Sequence, residues 1–225
     1  MVVIPLAGNA SRFFDAGYEQ FKFLLPLGDK TIIEHIVSYI PEQTKVILIL
    51  KKDHNILEEV QSLFVGRLNT ECVEINNTKG QLDTVIEGLS RLEIKENDQI
   101  IVYNGDTIRK KSFNFKGLPE VWLEVFEGDG DHWSFVDSIG EVGRITEKRR
   151  ISNYCSNGLY SLGSWQSLKK FISAYMPSDD MELFVAPFMN YLLTQGVSIR
   201  SYQCNKEDLI FAGTPDEYES AKLLF

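Results

Sequence analysis

A chain of 225 residues can bury the core of one large three-layer domain. Its 44% hydrophobic and 24% charged content is ordinary for a globular protein, and 23 basic against 32 acidic residues leave a net charge of −9. That balance argues against a general nucleic-acid binder, which needs a basic face, although a few cations gathered in one cleft can still hold phosphates.

Val2, Val3, Ile4, Pro5 and Leu6 predict a buried strand that breaks into the small-residue loop Ala7-Gly8-Asn9-Ala10-Ser11. Small residues let backbone N–H groups approach an anion, Arg12 adds a fork of donors, and Lys22 adds a compact second cation. Neither a P-loop nor a G-x-G-x-x-G fingerprint is present, and a strand–turn with solvated charges would read the same way. Helices follow over 31–38, 55–64 and 82–92, alternating with strands over 45–50, 72–75 and 99–103. This β-α-β-α-β rhythm predicts a mostly parallel sheet with helices on both faces, a Rossmann-like three-layer α/β fold with its ligand edge at the strands' carboxyl ends. Shorter strands over 122–126, 133–136, 142–146 and 158–162 read as antiparallel or mixed. Helices over 165–174 and 181–195, a strand over 199–203 and a helix from Pro215 complete a single domain, 1–225.

Cys72, Cys155 and Cys204 are odd in number and far apart, so they suggest thiols in a reducing compartment and no disulfide framework or zinc site. No basic segment precedes the first apolar run, and no run approaches the roughly 18–20 residues that span a membrane. The expected location is cytoplasmic. His35, His54 and His132 share no metal-ligand spacing.

Asp106 carries the sharpest chemical signal. It follows an apolar strand in the turn Asn104-Gly105-Asp106, where a hard carboxylate at the sheet's ligand edge can hold Mg²⁺, although turn chemistry alone selects the same residues. Gly80 and Gln81 open the helix over 82–92 and could lie against a base, or serve only as a helix start. Glu147 and Lys148 end a strand pattern and could meet a sugar hydroxyl and a phosphate; a solvated basic run is the alternative.

The ordered set Ile4-Pro5-Leu6-Ala7-Gly8-Asn9-Ala10-Ser11-Arg12-Phe13, Gly17-Tyr18 with Lys22, Lys79-Gly80-Gln81-Leu82-Asp83-Thr84, Asn104-Gly105-Asp106, Trp133-Ser134-Phe135-Val136, Glu147-Lys148, Gly158-Leu159-Tyr160 and Gly213-Thr214-Pro215 resembles the sugar-phosphate nucleotidylyltransferases. The likeness covers nearly the whole chain and is strongest to the compact capsule and surface-polysaccharide type. It implies a glycosyltransferase-A-like nucleotidyltransferase fold, with a nucleotide-binding half over 1–110 and a sugar-phosphate-binding half over 111–225. It also implies transfer from a nucleoside triphosphate to a sugar 1-phosphate with Mg²⁺ (EC 2.7.7 class), for polysaccharide or glycoconjugate synthesis. Nucleic acid and membrane are not expected as partners, and a homo-oligomer is left open. By the resemblance, Leu6, Ala7, Gly8, Asn9, Ala10 and Ser11 wrap the triphosphate and Arg12 and Lys22 stabilise its charge. Gly80, Gln81, Asn104 and Gly105 border the nucleotide, Asp106 holds Mg²⁺, Glu147 and Lys148 meet the sugar phosphate, and Gly158 lines the sugar pocket.

Three departures stand out. Ala10 replaces a usual Gly, Phe21 replaces the Pro before Lys22, and Phe211 stands where many members carry a second metal-binding Asp. Competing readings are a cytidylyltransferase acting on a polyol phosphate, choline phosphate or acidic sugar, and a catalytically weak nucleotide-binding or scaffold homologue.

Overall fold

The computed structural model describes residues 1–175 and 182–225. In chain order, β1 (Val2–Pro5) leads through the loop into the short α1 (Ser11–Asp15), a 3-10 turn (Lys22–Leu24) and the hairpin β2 (Pro26–Leu27) and β3 (Lys30–Thr31). Next come α2 (Ile32–Ser38), β4 (Val46–Lys51), α3 (Leu57–Leu63), β5 (Thr70–Ile75), α4 (Gln81–Ser90), β6 (Gln99–Tyr103) and β7 (Thr107–Arg109). The second half contributes β8 (Val121–Glu127), β9 (Ser134–Val136), β10 (Gly140–Glu141), β11 (Ile145–Glu147) and β12 (Tyr154–Ser164). It closes with α5 (Trp165–Ile172), α6 (Val185–Thr194), β13 (Arg200–Gln203), β14 (Leu209–Phe211) and α7 (Pro215–Ala221).

One sheet, ordered β10-β13-β8-β12-β6-β1-β4-β5, runs through both halves, with β9 joining β12 and β11 joining β9. β6, β1, β4 and β5 are mutually parallel, as the alternating pattern predicts. β12 then runs antiparallel between β6 and β8, and β13 returns parallel to β8. Both faces of the parallel strands are buried. Val2, Ile4, Val46, Leu48, Ile101 and Tyr103 point into one apolar layer with α2 and α7, while Val3, Ile47, Ile49, Ile100 and Val102 point into another with α4, α5 and α6. This alternation follows from the period-two pleat, and helices on both sides are what near-continuous apolar strands require.

The second half differs from the sequence reading in scale. The strand expected over 158–162 is the eleven-residue β12, kept in the core although it carries Ser156, Asn157 and Ser161. Those polar groups are hydrogen-bonded, with Ser161 Oγ donating to the Glu120 carbonyl (2.7 Å) and Asn157 Nδ2 donating to Glu124 Oε2 (2.5 Å), which makes their burial tolerable. The helix expected over 181–195 is α6; Met181 lies outside the described residues. Among the described residues no helix is long and apolar enough to cross a membrane.

Candidate active site

The carboxyl ends of β1, β4 and β6 open onto a cavity of about 840 Å³. Pro5 to Phe13 form one wall, Lys22 and Lys51 another, and Thr78 to Gln81 a third; Asn104 to Thr107 form the floor. The far side is built by Trp133, Ser134, Glu147, Tyr160, Phe184 and Phe211. Of the residues singled out from sequence, Leu6 to Arg12, Lys22, Gly80, Gln81, Asn104, Gly105, Asp106 and Glu147 therefore share one space.

Ala10 holds the turn that joins β1 to α1, with φ 51° and ψ 28°. Left-handed backbone costs a residue with a Cβ about 1–2 kcal/mol, which explains why glycine suits this position and shows that the chain keeps the turn without it. Phe21 makes a similar accommodation: its φ of −63° is the value proline would impose, and its ring stacks on His54 at 4.1 Å.

Asp106 sits in the turn between β6 and β7, and its carbonyl accepts from Ala212 N at 2.9 Å. Lys22 Nζ donates to its Oδ2 at 2.5 Å, with the two side chains 28% and 23% exposed, and Thr107 Oγ1 approaches Oδ1 at 3.4 Å. Gly105 must be small because a Cβ there would lie 2.3 Å from Leu6. Gly80, at φ +143°, packs so close to Leu183 that a Cβ would meet its backbone at 2.8 Å. From this bare turn Gln81 donates to Asn104 Oδ1 at 2.5 Å, joining the start of α4 to the end of β6.

Glu147, at the end of β11, accepts from Ser134 Oγ, whose hydroxyl also lies 3.4 Å from the Tyr160 hydroxyl. Burial raises the Glu147 pKa above the usual carboxylate value, while the Ser134 hydrogen bond and Lys148 pull it back down. Lys148 departs from the expected arrangement. It turns at φ 52° and lays its ammonium 4.4 Å from the centre of the Phe184 ring, beside the cavity lining. Gly158 departs further: it is not part of the lining but stands behind Asn104, whose N–H donates to its carbonyl at 3.1 Å. A Cβ on Gly158 would fall 2.2 Å from Asn104 Cγ, so it supports the Asn104 part of the floor.

Phe211, on β14 opposite Thr107 of β7, packs its ring 5.0 Å from Trp133 and 5.1 Å from Phe126. Asp208, the nearest upstream carboxylate, is turned away and bonded to Lys111 at 2.7 Å. Glu217 lines the cavity, but its Oε2 accepts from Gly213 N and Thr214 N at 2.9 and 3.0 Å as part of the capping box that starts α7. No group of three or more His, Cys, Asp and Glu is gathered as a metal site among the described residues. The cysteines are unbridged, and burial pushes the Cys204 thiol up to about 12.

Sequence reasoning passed over Lys51, which ends β4 and reaches Asn9 Oδ1 at 3.0 Å across the loop. Its signal was the one that marked Asp106, a charged residue directly after an apolar parallel strand. The wall of Trp133, Phe184 and Phe211 was also missed as a wall, since aromatics in an amphipathic pattern read as core.

No family model matches the chain, and no curated protein matches it in sequence. Solved structures do. A nucleoside-diphosphate-sugar pyrophosphorylase from Vibrio cholerae RC9 is 32% identical, superposes with a TM-score of 0.89, and is matched over 99% of this chain and 100% of its own. A Bacillus anthracis protein assigned as a glucose-1-phosphate thymidylyltransferase, in complex with sucrose, shares the fold at TM-score 0.81 and 20% identity, over 99% of this chain and 94% of that one. A UDP-glucose pyrophosphorylase complexed with UDP-glucose does so at 0.76 and 15%, over 99% and 97%. With a third of its residues shared end to end with the Vibrio protein, the chain belongs to the nucleoside-diphosphate-sugar pyrophosphorylases, which are sugar-phosphate nucleotidyltransferases.

Proposed function

We propose that this chain joins a nucleoside triphosphate to a sugar 1-phosphate in the cavity at the strand ends, releasing pyrophosphate and using Mg²⁺. The observation that carries the reading is that one cavity of about 840 Å³ holds the small-residue loop with Arg12, the Lys22–Asp106 pair and the half-buried Glu147. Such a volume lies within the usual range of ligand pockets.

In this reading residues 1–110 bind the nucleotide and 111–225 the sugar phosphate. The loop from Leu6 to Ser11 turns backbone N–H groups toward the triphosphate, and Arg12 and Lys22 offset the charge that grows on the departing pyrophosphate. Gly80 and Gln81 border the base, with Asn104 and Gly105 beneath. Glu147 orients the acceptor by accepting from a sugar hydroxyl, and Lys148, at the rim, attracts its phosphate. The acceptor phosphate oxygen then bonds to the α-phosphorus while the bond to the bridging oxygen of pyrophosphate breaks. No side chain is asked to act as a nucleophile, so catalysis rests on positioning and charge.

The donor set suits Mg²⁺, which takes one or two carboxylates and completes its shell with phosphate oxygens and water. Asp106 would hold it. When bound, the ion neutralises phosphate charge during the displacement. The product class serves polysaccharide or glycoconjugate synthesis, including capsule, in the cytoplasm. The test is to combine the protein with Mg²⁺, each of the four common nucleoside triphosphates and a set of sugar phosphates, and to follow pyrophosphate. Release that requires both substrates supports the reading; no release with any pair overturns it.

A further inference from the structure

We infer that Lys22 is the resting counter-ion of Asp106 and bars divalent metal from that carboxylate until a triphosphate draws the lysine away. The inference rests on the assignment of Asp106 as the metal carboxylate. Its basis is the contact at 2.5 Å between Lys22 Nζ and Asp106 Oδ2, in the cavity lining, where both side chains are about three-quarters buried. The other oxygen has only a 3.4 Å contact from the Thr107 hydroxyl, so the lysine is the one cation shown in contact with this carboxylate among the described residues.

The two partners differ in freedom. Asp106 is fixed by its turn and by the Ala212 hydrogen bond to its carbonyl. Lys22 is anchored through buried Phe23 and Leu24, but its ammonium rides on a flexible four-carbon stem and can change partner. Among the described residues, the carboxylates nearest the pair are already engaged. Phe211 faces aromatic neighbours, Asp208 is bonded to Lys111, and the Glu217 Oε2 is held by two backbone N–H groups.

Mg²⁺ sheds water reluctantly, and a single carboxylate already neutralised at contact distance offers it little. A triphosphate in the Leu6–Arg12 loop would present Lys22 with several anionic oxygens in the same cavity. Lys22 then leaves Asp106 for the phosphates, and the freed carboxylate meets a metal that arrives with the nucleotide. Nucleotide and metal are thereby coupled, each favouring the other to the same degree.

The test uses Mn²⁺ alone as probe, titrated into the nucleotide-free protein and followed by electron paramagnetic resonance of the unbound ion. Removing the ammonium in Lys22→Met should tighten Mn²⁺ binding by about tenfold or more, as expected when a contact cation ceases to compete for a carboxylate. Adding Asp106→Asn to that variant should abolish the gain. Arg12→Met removes a cation from the same cavity without touching Asp106, and should tighten binding by no more than about twofold, as screened charges do. Lys22→Gln, checked by circular dichroism, repeats the measurement if the methionine variant misfolds. Equal gains at positions 12 and 22, no gain at 22, or a gain that survives Asp106→Asn would overturn the inference. These outcomes are independent of turnover, so a failure to release pyrophosphate would count against the assigned reaction without deciding this point.

Discussion

Gly158→Ala separates two roles for one residue, since the family resemblance puts Gly158 in the sugar pocket and the structure puts it behind Asn104. Gly158 has φ +86°, where an L side chain costs about 1–2 kcal/mol. The new methyl would lie 2.2 Å from Asn104 Cγ and 2.3 Å from its Nδ2, and relieving such overpacking costs about 1–3 kcal/mol more. A total of about 2–5 kcal/mol corresponds to a fall in Tm of roughly 4–20 °C for a domain of this size. Asn104 cannot move without disturbing its bond from Gln81. Losing that bond, at about 1 kcal/mol, should raise the KM for the nucleoside triphosphate about fivefold and leave the KM for sugar phosphate nearly unchanged. Thermal unfolding and steady-state kinetics provide the readouts, with Gly66→Ala, outside the cavity lining, as a control that meets nothing within 4 Å. An unchanged Tm, or a selective rise in the sugar-phosphate KM, would refute the reasoning.

Asp106→Asn, which removes a charge at similar volume, should lower turnover by about a hundredfold or more with the fold intact; near-normal turnover would remove it as the metal carboxylate. Arg12→Ala and Lys22→Ala should each slow transfer by about two to four orders of magnitude, while Lys110→Ala and Lys111→Ala, outside the cavity lining, should do little. Ser134→Ala removes a hydrogen bond that lowers the Glu147 pKa and leaves the burial that raises it. The acid limb of kcat/KM for sugar phosphate should therefore move to higher pH, and a shift to lower pH would reverse the sign of the argument. The same raised pKa makes Glu147's contribution to stability full below its unfolded pKa and lost as pH rises through the folded one.

The parallel half of the sheet was legible because strands buried on both faces read as unbroken apolar runs, as in Val46–Leu50. β12 was legible only in part, because Ser156, Asn157 and Ser161 interrupt its pattern, and the last two are kept inside by partners distant in sequence. Asp106 could be found from its place after a strand, and its Lys22 partner from the ordered motifs. Their contact could not, since 84 residues separate them. The packing of Gly158 on Asn104 was hidden for a related reason: a glycine kept free for a neighbouring side chain looks the same in sequence as one kept free for a ligand. Phe211 could be recognised as a departure, but its packing on Trp133 and Phe126 depends on the pairing of β14 with β7.

The central claim is that the sugar-phosphate oxygen bonds to the α-phosphorus of the nucleoside triphosphate. A sugar 1-phosphate carrying ¹⁸O in every phosphate oxygen, turned over with unlabelled nucleoside triphosphate and Mg²⁺, tests it by mass spectrometry. The account predicts that all the label is retained in the nucleoside-diphosphate sugar and that the pyrophosphate is unlabelled. Label in the pyrophosphate or in free phosphate, or no nucleotide sugar at all, would contradict it.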